Sequence, residues 1–131
     1  ARDGALVFFA AVFLAESVLK PLAGRARPTA DPTLAASLHL LGPRPPASSL
    51  SFPSGTATAC CAVAAYVWLA WGRRAGVPAA VFAAMVSLSR VYAGLHWPSD
   101  LVGGGLVGAL LALGVWSLSR WVERCAMAPQ G

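Results

Sequence analysis

The sequence predicts an all-α fold, a polytopic membrane bundle of about four spanning helices in one domain covering residues 1–131. Three observations predict it. The chain is 57% hydrophobic and only 11% charged, against a charged share of about 25% in ordinary soluble domains. Its apolar residues gather into separate runs of about 14–20 residues, near the lower range for a spanning helix at ~1.5 Å rise per residue. Its charges sit at the ends of these runs, where basic residues flank membrane segments.

The first run, Gly4 to Leu19, is interrupted only by Glu16 and Ser17. The stretch from Pro21 to Phe52 holds Pro21, Pro28, Pro32, Pro43, Pro45 and Pro46, and Pro53 follows it, so it cannot form one regular helix. The second run is Gly55 to Trp71. A turn, Gly72-Arg73-Arg74-Ala75-Gly76, separates it from a third run that extends from Gly76 to about Ser89, with further helix possible to Gly94. The fourth runs from Leu101 to about Leu118. Gly104 and Gly108 give it a small-xxx-small spacing that predicts close helix packing rather than a nucleotide-binding loop. Two adjacent runs would also suit a buried hairpin, but so many in so short a chain favour membrane spans. The chain opens on an alanine close to an apolar run and carries no evident signal peptide, so it reads as a fragment or a short version of a longer protein.

The formal charge of +5 comes from ten Lys and Arg against five Asp and Glu. A basic chain could bind nucleic acid, yet cations at the ends of apolar runs point to membrane flanks, and no nucleic-acid partner is expected. If the helices alternate, Arg2, Arg73, Arg74, Arg120 and Arg124 share one side, and Lys20, Arg25, Arg27, Arg44 and Arg90 the other. Setting aside the candidate site residues Lys20, Arg27 and Arg90 leaves five against two, which makes the first side cytoplasmic. The site then faces the periplasm or cell exterior of a bacterial inner or plasma membrane. Cys60, Cys61 and Cys125 form no metal or redox spacing, and the first two read as small hydrophobes. No histidine or carboxylate cluster predicts a metal site, and no cofactor is expected.

Three stretches carry polar groups whose place beside hydrocarbon calls for a function. They are Lys20-Pro-Leu-Ala-Gly-Arg-Ala-Arg27-Pro28, Ser51-Phe-Pro-Ser54-Gly55-Thr56, and Ser89-Arg90 running to His96 and Asp100. Pro53-Ser54-Gly55 stands where the second run begins, so the amides of Ser54, Gly55 and Thr56 point out of a helix start able to bind an anion. Alone, it would also fit a plain turn. Lys20, Arg27 and Arg90 would each suit a snorkelling membrane flank, but together they could neutralise a phosphate dianion. Pro98 is placed to start the fourth helix with Asp100 in its first turn. That aspartate could orient His96 through one ring nitrogen and leave the other free to attack or take a proton.

The joint pattern is more specific than its parts. Lys20 with Arg27-Pro28, then Pro53-Ser54-Gly55, then Ser89-Arg90 with His96 and Asp100, closely resembles the type-2 phosphatidic acid phosphatase superfamily, which also includes vanadium haloperoxidases. The resemblance implies that Lys20, Arg27 and Arg90 bind phosphate and that Ser54 and the Gly55 amide complete the cradle. It implies that His96 is a nucleophile forming a phosphohistidine, oriented by Asp100. It also implies metal-free hydrolysis of a lipid phosphate or diphosphate, such as polyprenyl diphosphate or phosphatidate, among membrane lipids. The membrane branch usually has six spanning helices, of which this chain would hold the last four. One position departs from the pattern. Where the family carries a histidine that protonates the leaving group, this chain has Thr56, which cannot act as a general acid near neutral pH. Turnover would then be impaired, or His39 in the preceding loop would have to supply the proton. A non-catalytic relative that binds phosphorylated lipid, a vanadate-dependent oxidase, and a small transporter or channel are the rival readings.

Overall fold

The computed structural model describes residues 2–38, 45, 46 and 48–127. The first apolar run forms one continuous rod. Helix α1 (Arg2–Phe13) passes into a π-helical turn, Leu14–Leu19, and ends in the short helix α2 (Lys20–Ala23). The wider turn is marked by the Lys20 N–H donating to the Ala15 carbonyl, five residues back. Gly24 stops the rod with a left-handed φ of 60° and donates its N–H to Lys20 at 3.0 Å.

The proline-rich stretch contains a 3-10 turn, Pro28–Ala30, and helix α3 (Pro32–Ser37), which the Asp31 carboxylate caps by accepting the Thr33 N–H at 2.8 Å. An antiparallel bridge between Ala26 and Leu50 closes the stretch, and the Ser51 N–H donates to the Arg25 carbonyl at 2.7 Å. His39 and Arg44, which figured in the sequence reading, lie outside the described residues.

Helices α4 (Gly55–Trp71), α5 (Arg73–Tyr92) and α6 (Pro98–Ala126) follow. The expected turn over residues 72–76 shrinks to Gly72 alone. Its φ of 74° suits a residue without a β-carbon, and Arg73 to Gly76 already belong to α5. Helix α6 starts at Pro98 as expected but runs well past Leu118. Three helical stretches, Asp3–Ala23, Arg73–Tyr92 and Pro98–Ala126, are long and apolar enough to cross a membrane, while α4 is apolar but has only 17 residues. The expected four spans are therefore three long helices and a shorter one, about 26 Å in length at ~1.5 Å per residue.

That shorter helix is the centre of the bundle. It packs against α1, α5 and α6. Val7, Ala11, Ala62, Tyr66 and Ala112 form the core between α1, α4 and α6. The predicted small-residue contact is present. A methyl group on Gly104 would lie 2.8 Å from the Ser54 carbonyl oxygen, and one on Gly108 would lie 2.9 Å from the Ala62 nitrogen. Phe9, Phe13, Phe82, Leu106 and Leu110 face outward, as hydrocarbon surroundings allow. The fold is an all-α membrane helical bundle, and its tight α4–α6 seam fixes where α4 begins relative to the start of α6.

Candidate active site

The start of α4 is built by its own cap. Ser54, wholly buried, accepts the Ala57 N–H at 3.3 Å on its hydroxyl and the Thr58 N–H at 2.8 Å on its carbonyl. The Ser54 hydroxyl, expected to hold phosphate, accepts the Ala57 bond, and Ser54 is not among the residues that line the cavity in front of the helix. Gly55 and Thr56 reach the cavity instead, and no acceptor among the described residues takes their amides. A helix start with unpaired amides favours an anion.

In front of it lies a cavity of about 400 Å³ whose walls include Glu16, Lys20, Arg27, Gly55, Thr56, Arg90 and His96. Residues from four separate parts of the sequence meet here, as the motif reading expected for all but Glu16. The Lys20 ammonium is almost entirely buried and donates to both oxygens of Glu16, at 2.5 and 2.6 Å. Arg27 donates to the Leu95 carbonyl at 2.9 Å. Burial disfavours the Arg27 charge and lowers its pKa from the usual range, while Glu16 and Asp100 oppose that shift. The Nε atoms of Arg27 and Arg90 and the Ser49 hydroxyl are buried with no partner among the described residues, and all three residues line this cavity. Buried donors left unpaired are rare, because each forfeits its hydration without return.

His96 is held by its neighbours in one tautomer. Its Nδ1 lies 2.9 Å from the Ser51 carbonyl oxygen, which can only accept. The contact therefore assigns the proton to Nδ1 and a free lone pair to Nε2, which faces the Arg27 guanidinium at 3.4 Å. Burial is the largest influence depressing the His96 pKa below its usual value, the Arg27 charge adds to it, and Asp100 and the Ser51 carbonyl pull the other way. These contacts favour a neutral ring with the proton on Nδ1.

Asp100 stands behind the cavity wall, and its part differs from the expected one. Its Oδ2 is 3.5 Å from His96 Nδ1, farther than the Ser51 carbonyl. Its oxygens are taken mainly by others. Oδ1 accepts from Arg25 Nη1 at 2.9 Å, and Oδ2 accepts the Ser51 hydroxyl and, at 2.8 Å, the Trp97 N–H. Asp100 and His96 thus both hold Ser51, one at its hydroxyl and the other at its carbonyl, and Asp100 caps the start of α6 with the same Oδ2. Arg25 completes the clamp, donating to the Ser99 hydroxyl at 2.7 Å and lying 5.5 Å from the Trp97 ring centre.

Glu16, Arg25 and Ser51 were missed as site residues. The first carried a usable signal, since an acid four residues before a lysine on one helix is an ion-pair spacing. Arg25 looked like one more flanking cation, and the part of Ser51 that meets the histidine is backbone, which no side-chain pattern reveals. A larger cavity of about 570 Å³ between α4, α5 and α6 is walled by residues such as Cys61, Trp68, Ala84 and Leu113 and presents no charged group.

A sequence model of the PAP2 superfamily matches residues 4–124. An undecaprenyl-diphosphatase of Sulfolobus acidocaldarius is 35% identical over 74 residues, which are 56% of this chain and 35% of that protein. A decaprenylphosphoryl-5-phosphoribose phosphatase of Mycobacterium tuberculosis is 36% identical over 123 residues, 91% of this chain and 63% of that protein. Among solved structures, the transmembrane PAP2 type phosphatidylglycerolphosphate phosphatase from Bacillus subtilis is similar with a TM-score of 0.67 and 27% identity, over 92% of this chain and 59% of that one. The chain thus spans from about a third to just under two thirds of the length of these relatives. Taken with the bundle and the clustered motifs, the match over nearly the whole sequence establishes that this integral membrane chain belongs to the PAP2 superfamily.

Proposed function

We propose that the protein hydrolyses a lipid phosphate or diphosphate through a phosphohistidine formed on His96. The observation that carries this reading is the convergence of Lys20, Arg27 and Arg90 with the His96 Nε2 lone pair on one cavity at the start of α4. The unpaired Nε atoms of Arg27 and Arg90 support it. In this reading the three cations and the Gly55 and Thr56 amides hold the phosphoryl oxygens and spread the charge of the transition state, a task that elsewhere falls to a metal ion. Nε2 attacks phosphorus, the bond to the leaving oxygen breaks, and the Ser51 carbonyl steadies the proton on Nδ1. Water then attacks the phosphohistidine and releases phosphate. The relatives, named for a polyprenyl diphosphate, a polyprenyl-linked phosphate and a phospholipid phosphate, support lipid substrates of this class.

Thr56 lines the cavity at the position of the expected general acid. A monoester must expel an alkoxide, which needs a proton, whereas a diphosphate expels a phosphate that leaves readily as an anion. The reading therefore favours diphosphates wherever no other donor acts. Thr56 is also the observation behind a second reading, in which the protein binds phosphorylated lipid without cleaving it. The five-to-two excess of non-site basic residues on the Arg73 side supports a bacterial membrane placement with the cavity on the periplasmic or outer face. The test is phosphate release from purified parent and His96→Ala proteins, each also carrying Thr56→His. Release by the parent pair and none by the His96→Ala pair is expected. Parental turnover in a folded His96→Ala protein would overturn the mechanism, and bound lipid with no turnover in any variant would favour the second reading.

A further inference from the structure

The carboxyl of Glu16 is a titratable group inside the phosphate cavity that the mechanism above leaves without a task. It comes from the π-helical turn Leu14–Leu19 and holds Lys20 with both oxygens. A methyl group built on Gly55 would overlap its Oε1, so that oxygen lies directly against the backbone next to residue 56. Its side chain is 46% exposed and stands on the cavity wall. Among the described residues, Lys20, Arg27, Arg90 and His96 are the other charged or titratable groups on the cavity wall. His96, with its Nε2 unprotonated, is the attacking group, and the cations serve the phosphate. Glu16 is the one acid among them.

We infer that Glu16 is the proton donor of this site, set beside the position where Thr56 offers none. The inference rests on the phosphohistidine reading and names the acid that reading lacks. Before substrate arrives, Lys20 holds Glu16 as a carboxylate. A monoester arriving as its monoanion brings one proton. As Lys20 turns to the phosphoryl oxygens, that proton passes to the carboxylate, since two anions compete poorly for one ammonium. His96 Nε2 then bonds to phosphorus, the ester P–O bond breaks with its electron pair, and the leaving oxygen takes the proton from Glu16. In the second half, Glu16 takes a proton from water as the water oxygen bonds to phosphorus. The P–N bond breaks, its electron pair returns to Nε2, and inorganic phosphate leaves. Glu16 then passes that proton to the departing phosphate, which leaves as its monoanion, and is again the carboxylate that Lys20 holds.

The experiment compares parent, Glu16→Gln and Glu16→Asp proteins on a lipid monophosphate and a lipid diphosphate, with orthovanadate affinity measured alongside. Glu16→Gln keeps the side chain's size and a carbonyl for Lys20 but carries no transferable proton. Monoester turnover should fall about 10²–10⁴-fold, with a far smaller loss on the diphosphate. Glu16→Asp should retain more monoester turnover than Glu16→Gln. Vanadate should bind Glu16→Gln at least as tightly as parent, because the anion that competes for Lys20 is gone. Equal losses on both substrates together with weakened vanadate binding would mean that Glu16 merely positions Lys20, and would overturn the inference. An inert parent that Thr56→His activates in a His96-dependent way would overturn it too, while leaving the phosphohistidine reading intact. Inactivity of every variant would remove both.

Discussion

Replacing Arg27 by alanine should weaken vanadate binding about 10- to 150-fold, whereas replacing Arg25 should leave that affinity within a few-fold and lower stability instead. The two residues lie two apart on one segment, and Arg27 meets the connection between α5 and α6 while Arg25 meets the first turn of α6. Arg27 lies on the His96 side, within 3.4 Å of Nε2, and lines the cavity. Arg25 lies on the Asp100 side, 2.9 Å from the carboxylate, and does not. A charge-assisted contact to an oxyanion contributes about 1.5–3 kcal/mol, and about 1.4 kcal/mol is a factor of ten, which gives the range stated. Loss of Arg25 leaves the fully buried Asp100 with the Ser51 hydroxyl and the Trp97 N–H but no cation. Because the Arg25 side chain is 40% exposed, the stability loss belongs near the lower end of the same ~1.5–3 kcal/mol range. Titration of detergent-solubilised protein with vanadate gives the first quantity and thermal unfolding gives the second. Equal loss of vanadate affinity in both variants, or loss confined to Arg25→Ala, would refute the assignment of these two guanidiniums to separate tasks.

Two further outcomes follow from the same geometry. Thr56→His should raise monoester turnover by a larger factor than diphosphate turnover, most of all in the Glu16→Gln background; equal factors, with chemistry shown to limit the rate, would sink the leaving-group argument. A cysteine at exposed Ser48, with the native cysteines removed, should react with an impermeant thiol reagent added outside intact cells, and one at Ala75 should not; the reverse pattern would turn the cavity to the cytoplasm.

The helices were legible because apolar runs and basic flanks report them directly, and Pro98 marked the start of α6 to the residue. The turn after α4 was overestimated because Arg73, Arg74 and Gly76 look like loop residues, yet one glycine suffices to reverse the chain and polar residues at a membrane boundary are compatible with helix. The π-helical turn was invisible, since nothing in the residues Leu14 to Leu19 separates a π-helical turn from an α-helical one. Within the site, side chains in fixed motifs were legible and their supports were not. Lys20, Arg27, Arg90 and His96 converge on the cavity as expected. Ser54 turned its hydroxyl to capping, and the atom nearest His96 Nδ1 is a backbone oxygen of Ser51. Which atom a side chain finally meets depends on docking, and docking between residues some fifty positions apart leaves no local trace in the sequence.

Asp100 binds together pieces that a ribosome makes far apart in time. A nascent chain that has inserted α1, α4 and α5 already carries Arg25 and Ser51, but the carboxylate they await arrives only with α6. Until then the Ser51 hydroxyl lacks the acceptor it meets in the folded protein. Insertion of α6 brings the carboxylate and the closing contact at the Gly104–Gly108 seam in a single event. The helix made last thus carries a carboxylate that ties the segment after α2 and the segment before α4 to its own first turn.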